Sequence, residues 1–178
     1  MGKSLINGGK KDLFLTNFYI NCFNGLRLKC GGATGSAAQN RSFLELLSNA
    51  IILRMRAVLL VGIGGALGSI LRLKFGGWVL HRWPGGVFPL STLAVNLIGC
   101  FFIGLLAALA ERKFPHSSDL RQLLFPGLLG GFTTFSAFGL EISLLLKQGH
   151  TAIALLYVGA SVLGGVLSVF LGLTLVRA

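Results

Sequence analysis

Acidic residues are scarce in this chain: five Asp and Glu among 178 residues, against sixteen Lys and Arg. Charged residues of both signs make up 12%, about half the share of roughly 25% found in soluble domains. A chain of this size with so little charge cannot coat its own surface, which excludes an ordinary water-soluble globule. Disorder is excluded as well, because it requires low hydrophobicity, whereas this chain is 53% hydrophobic with a mean hydropathy of +0.78. Cysteines are few. Cys22, Cys30 and Cys100 have no histidine at zinc-site spacing and form no disulfide framework; free thiols that behave as small hydrophobes are the favoured reading, with a Cys22–Cys30 disulfide the weaker alternative. No histidine falls in the long apolar blocks, the serines there lack a nearby base, and no phosphate-binding glycine loop is present. Gly62-Ile63-Gly64-Gly65 lacks the further glycine of a dinucleotide fingerprint. These absences leave no soluble-enzyme site, and the chain is expected to catalyse no reaction.

The composition changes near Met55. Residues 1–54 are mixed and polar, with a glycine-rich stretch at Gly31, Gly32 and Gly35 and seven Lys and Arg against Asp12 and Glu45. They lack the ordered regions of a signal peptide, and position 6 lacks the Ser or Thr of a myristoylation signal. Asn40-Arg41-Ser42 is a formal glycosylation sequon of a kind that arises often by chance. Phe43 to Leu53 suits a short amphipathic helix on a membrane surface. Residues 1–54 are expected to be a disordered or interfacial extension, with Met55-Arg56 an alternative start. N-terminal sequencing of the native protein tests that expectation.

From Met55 onward four apolar blocks follow. Ala57–Leu71 is uncharged and the block continues to Leu80; Leu90–Ala110 carries no charge; Leu123–Leu146 is interrupted only by Glu141; and Thr151–Val176 carries none. A bilayer core of about 30 Å needs roughly 20 helical residues. The fold class is thus an all-α integral membrane protein with four transmembrane helices. The net charge of +11 first suggests nucleic acid, but the cations sit at block ends, with no basic stripe or nucleic-acid motif. Arg56, Arg112, Lys113, Arg121 and Arg177 fall on one side, and Arg72, Lys74, Arg82 and Lys147 on the other. So even a split gives the positive-inside rule little to act on, and such a core suits insertion both ways up and pairing with an inverted copy. Small residues four apart (Gly64 with Gly68, Gly127 with Gly131, Ser161 with Gly165, Ser168 with Gly172) point to close helix contacts, within or between chains.

The third block holds Gly130-Gly131-Phe132-Thr133-Thr134-Phe135-Ser136-Ala137-Phe138. Paired glycines before hydroxyl residues read in two ways. One is a helix broken mid-membrane whose freed carbonyls coordinate a cation; the other is a packing face with hydroxyls bonded to the preceding turn. Phe135 and Phe138 share a helical face, and electropositive ring edges would attract a small anion, although such a pair more often faces lipid or core. Asn96 is the single amide of the second block, and interhelical bonding is the commoner use of such a residue. Tyr157, Ser161 and Ser168 form a hydroxyl stripe on the fourth block. Glu141 is an intramembrane acid, which is paired or functional as a rule. Arg72, near the end of its block, reads as snorkelling to the interface.

Taken together, residues 55–178 resemble the small four-helix fluoride channels of the Fluc or CrcB type. The resemblance rests on Gly64-Gly65-Ala66-Leu67-Gly68-Ser69-Ile70-Leu71-Arg72, on Pro89-Leu90-Ser91-Thr92-Leu93-Ala94-Val95-Asn96-Leu97-Ile98-Gly99, and on the Gly130–Phe138 segment followed by Glu141. Residues 1–54 have no counterpart in it. The resemblance implies an antiparallel, dual-topology homodimer in the cell's inner membrane, with two fluoride pores and a central sodium ion. It places the sodium on the backbone carbonyls of Gly130 and Thr133, and the pore on Asn96, Phe135 and Phe138. Thr134 and Ser136 lie in the same break, and Tyr157 and Ser161 match a polar track. Gly165 stands where that track would carry another hydroxyl, and Ala137 also replaces a hydroxyl residue. The expected function is passive export of cytoplasmic fluoride, relieving its toxicity. The rivals are a proton-coupled small multidrug-resistance transporter, which needs an acid in the first helix, and a structural membrane subunit.

Overall fold

The computed structural model describes residues 37–113 and 117–177, and every regular element among them is helical. Helix α1 spans Ala37–Arg82, 46 residues in one piece. It stops where Pro84 follows Trp83, since a residue before proline disfavours the helical region. Helix α2, Leu90–Lys113, begins directly after Pro89, whose carbonyl accepts the Leu93 N–H at 3.2 Å. A short α3, Ser118–Gln122, leads into a π-helical stretch, Leu123–Leu129, that contains Pro126. Proline has no N–H and crowds the carbonyl one turn back, and the wider turn accommodates it. Helix α4, Gly130–Phe132, is a single turn. Thr133 (φ −82°, ψ 157°) and Thr134 (φ −145°, ψ 116°) are extended, and helix α5, Phe135–Lys147, follows. It closes at Gly149 (φ +81°), where the Gly149 and His150 N–H groups bond the Leu146 and Leu145 carbonyls. Glycine takes that left-handed conformation without a Cβ clash. The chain then turns directly into α6, Thr151–Arg177.

Four segments are long and apolar enough to cross a membrane: Leu47–Arg82, Leu90–Lys113, Ser118–Lys147 and Thr151–Val176. Their mean hydropathies are 1.9, 2.4, 1.5 and 2.2, and the chain is a multi-pass membrane protein, as its composition indicated. Side chains that would be stranded in water, such as Leu59, Leu73, Leu155 and Leu163, lie exposed along these helices, as a lipid-facing surface requires. The change of composition at Met55 is not a break in the backbone. Phe43–Leu53 is helical, but as part of α1 rather than as a separate short helix, and Leu47, Ile51, Ile52 and Leu53 are all exposed. Cys22, Cys30 and the glycine-rich stretch at Gly31–Gly35 lie outside the described residues.

Two parallel helix pairs make the framework. The third span lies on α1 through glycine: a Cβ on Gly68 would overlap the Leu128 carbonyl, and one on Gly131 the Gly65 carbonyl. Helix α6 lies along α2, with Gly164 against Leu97, Gly104 against Val169, and Gly172 against Phe101. In lipid there is little hydrophobic drive between helices, so such backbone approach supplies the contact. A buried cluster of Leu93, Phe138, Leu145, Ala154 and Tyr157 joins α2, α5 and α6. A second, of Ala110, Phe125 and Leu129, joins the α2 end to the π-helical stretch. At that same end Arg56 meets Asp119 at 2.7 Å.

Candidate ion pathway at the interruption of the third span

The extended pair Thr133–Thr134 organises the surrounding groups. One helical bond remains on its N-terminal side, the Thr133 N–H donating to the Leu129 carbonyl at 3.0 Å, and the Thr133 hydroxyl donates to the same carbonyl at 3.0 Å. The Thr134 N–H, which would close the next turn on the Gly130 carbonyl, donates instead to Asn96 Oδ1 at 2.9 Å. Asn96 Nδ2 donates back to the Thr134 carbonyl at 3.1 Å. The α2 amide therefore replaces one turn of helix and fixes the backbone of another span. Thr134 Oγ1 then caps α5, accepting the Ala137 N–H at 3.3 Å, and lies 3.3 Å from Ser136 Oγ.

A groove of about 460 Å³ opens beside this pair, and Asn96, Thr134, Phe135, Phe138 and Ser161 line it, along with Gly130 and Thr133. The two rings stand 5.5 Å apart, centroid to centroid. They differ sharply in exposure: Phe135 is 83% exposed and Phe138 only 9%. Ser161 Oγ is buried and has no hydrogen-bond partner, an unusual state for a hydroxyl away from water. Five of the residues singled out from sequence as pore candidates thus meet on one surface.

Two others do not. Ser136 lines a separate cavity of about 340 Å³ with Arg72, Ser91, Thr92 and Thr134. Tyr157 is fully buried, and its hydroxyl donates to Glu141 Oε2 at 2.7 Å. Thr92 Oγ1 donates to the other carboxylate oxygen at 2.6 Å. Glu141 is therefore paired by two hydroxyls, and Tyr157 joins that trio instead of continuing a hydroxyl stripe with Ser161. Thr92 was missed as a partner from sequence. It sits in the quoted α2 segment, but no spacing rule links positions 49 residues apart. Arg72 is half-buried and turned toward the interruption, with its Nη1 3.4 Å from the Thr133 carbonyl, and does not read as a plain snorkelling side chain. One turn before it, Ser69 Oγ lies 3.5 Å from the Gly131 carbonyl.

The donor set at the interruption suits a hard cation. The Gly130 carbonyl has lost its Thr134 donor, and the Thr133 carbonyl has only the long Arg72 contact. Among the described residues no group of three or more His, Cys, Asp or Glu is placed to hold a metal. Any ion here would rest on backbone oxygen, the ligand that hard cations take, and one chain offers two such carbonyls.

The family described as CrcB-like protein, Camphor Resistance (CrcB), matches residues 59–173. This chain belongs to the CrcB family. Three relatives named fluoride-specific ion channel FluC align with nearly their whole length. The one from Rhizobium etli is 50% identical over 124 residues, 70% of this chain and 98% of the relative. That from Methylobacillus flagellatus is 49% identical over 123 residues, covering 69% and 96%. That from Rhizobium meliloti is 50% identical over 124 residues, covering 70% and 98%. The CrcB match contains the interruption, both phenylalanines, Asn96 and the Thr92–Glu141–Tyr157 trio, and it begins 22 residues after α1 does.

Proposed function

We propose that this CrcB chain is a fluoride-selective channel of the inner membrane that lets cytoplasmic fluoride leave passively, working as an antiparallel homodimer. The observation that carries the proposal is the groove at Thr133–Thr134, an apolar wall into which a few hydrogen-bond donors project and no carboxylate does. Small, tightly hydrated fluoride would cost tens of kcal/mol to strip bare in hydrocarbon. The second Asn96 N–H, the unpartnered Ser161 hydroxyl and the ring edges of Phe135 and Phe138 offset that loss in steps, since ring edges are electropositive. None of them is a full positive charge that would hold the ion too tightly to leave. The Thr134 hydroxyl caps α5 by accepting the Ala137 N–H and keeps its own O–H, which lies 3.3 Å from Ser136 Oγ. Ser136 and Arg72, in the adjoining cavity, draw the anion toward the groove.

In an antiparallel pair the exposed Phe135 of each copy would be covered, and four carbonyls, Gly130 and Thr133 from each, would face one another. A sodium ion held there supplies a fixed positive charge that low dielectric lets act at a distance. The proton-coupled transporter alternative has no support, because no acid lies between Leu47 and Arg82 and the family is different.

Fluoride efflux from liposomes containing the purified protein tests the proposal. Rapid efflux of fluoride with no chloride passage is expected. An absence of fluoride current, or equal passage of chloride, defeats it.

A further inference from the structure

We infer that the Cys100 thiol is a further hydrogen-bond donor of the ion groove, one helical turn beyond Asn96 and Ser161 toward the Arg56 end. The inference rests on the fluoride reading above and adds a residue to it.

Helices α2 and α6, which wall this side of the groove, run parallel, with Gly164 on Leu97, Gly165 on Cys100 and Gly104 on Val169. Each presents one donor to the groove. On α2 it is Asn96, and on α6 it is Ser161, whose Oγ is buried and has no partner. Four residues on, about 6 Å along either axis at 1.5 Å per residue, stand Cys100 and Gly165. Residues four apart share a helical face, so this pair forms the next level of the same wall. Gly165 has no side chain to offer there. A Cβ built on it would stand 3.4 Å from Cys100 Sγ and meet no other described atom within 4 Å. Its neighbour Gly164 differs, since a Cβ there would press on the Leu97 side chain at 3.0 Å. Gly164 therefore serves helix packing, whereas the space beside Gly165 is filled by sulfur from the opposite helix.

Cys100 lines the groove itself, is half-buried and carries no disulfide. Its thiol makes no hydrogen bond to another described residue. Farther toward the Arg56 end the lining consists of Ile103, Phe125, Pro126 and Leu129, none of which has a side-chain donor. Thr133 also lines the groove, but its hydroxyl already donates to the Leu129 carbonyl at 3.0 Å. An ion leaving the Asn96–Ser161 level in this direction would thus meet hydrocarbon alone if residue 100 had no donor. A bare anion in such surroundings is costly. The S–H group is a weak donor, and sulfur is polarizable. Fluoride accepts from it, the proton stays on sulfur, and the contact is weak enough for the ion to move on. From sequence this thiol read as a small hydrophobe; its position beside Gly165 gives it a second role.

Fluoride efflux from liposomes is measured for the full-length parent, Cys100→Ala, Cys100→Ser and Cys100→Ala/Gly165→Ser, each first checked for its elution on size-exclusion. In Cys100→Ala a fall of about fivefold is expected, the size of one modest hydrogen bond in the rate-limiting step, with Cys100→Ser within about twofold of the parent. The double variant should recover flux relative to Cys100→Ala, because its hydroxyl reaches the same point from the other wall. A residue that only packed would not be replaced from the opposite helix. Parent flux in Cys100→Ala, or an equal loss in Cys100→Ala and Cys100→Ser, overturns the inference and leaves the channel reading standing. No fluoride efflux from the parent overturns both.

Discussion

At the residue scale, Asn96 does two jobs with one amide. Its oxygen and one N–H pair with the Thr134 backbone, and its other N–H is left for the groove. Asn96→Asp keeps the size and the acceptor for Thr134 N–H but removes both side-chain donors and adds a negative charge. A folded protein with fluoride efflux reduced at least tenfold is expected, a loss of about 1.4 kcal/mol or more in the rate-limiting step; size-exclusion and liposome efflux measure the two. Phe135 and Phe138 separate in the same way. Phe135→Leu removes an exposed ring, so the fold of the single chain should be untouched while efflux falls. Phe138→Leu also removes packing from a buried cluster against Tyr157, and a lower melting temperature is expected alongside the lower flux. Wild-type efflux in both variants would remove the rings from the pathway. The local chemistry of these residues was readable in order along the chain, but their partners were not. Thr92, Glu141 and Tyr157 meet only because α2, α5 and α6 converge, and Arg72 looked like a snorkelling cation until Thr133 was placed beside it.

At the scale of elements, the third span is where the sequence departs most from a plain apolar helix. Pro126 removes one helical donor and the chain responds with a wide π turn. Six residues later the helix ends, and Asn96 supplies the bonds that a continued helix would have made. Glycine on α1 allows this irregular stretch to lie close. Gly68→Leu would drive a side chain into the Leu128 carbonyl and the Phe132 N–H, both backbone atoms that cannot turn aside. Loss of a monodisperse protein, or a drop in melting temperature well beyond that of Gly77→Leu at a position with open space, is expected on thermal unfolding in detergent. Equal melting for the two would mean that α1 does not depend on that contact. The helices themselves were legible from length and apolarity. The path of α1 was not, because a change in composition at Met55 resembles a boundary while the backbone, with no proline or paired glycine between Ala37 and Gly62, continues as a helix.

At the scale of the whole molecule, a single chain leaves the groove at Thr133–Thr134 open along one side. Phe135 is exposed and two carbonyls at the interruption are short of donors; in the proposed antiparallel pair a second copy would cover them. If sodium binds the four carbonyls of an antiparallel pair, it binds the folded dimer and not the separated chains, so it stabilises by mass action. Dimer melting should rise with sodium concentration and not with an equal concentration of a bulky organic cation at the same ionic strength. Identical melting in both would remove the ion from the assembly.

Some of this was fixed by sequence alone. Too little charge to face water and four apolar blocks of bilayer length dictate a membrane protein, because composition is a local property, whereas the paired glycines and hydroxyls of the third block suit an interrupted helix and a packing face equally. Only the tertiary structure decided which polar groups are consumed and which stay free. Tyr157 and Thr92 are spent on Glu141, Thr134 Oγ1 accepts at a helix cap, and one Arg72 N–H is directed at a carbonyl, while Ser161 and one Asn96 N–H remain for the groove. In a low-dielectric interior a polar group takes whatever partner it can reach, and reach is set by how the helices pack.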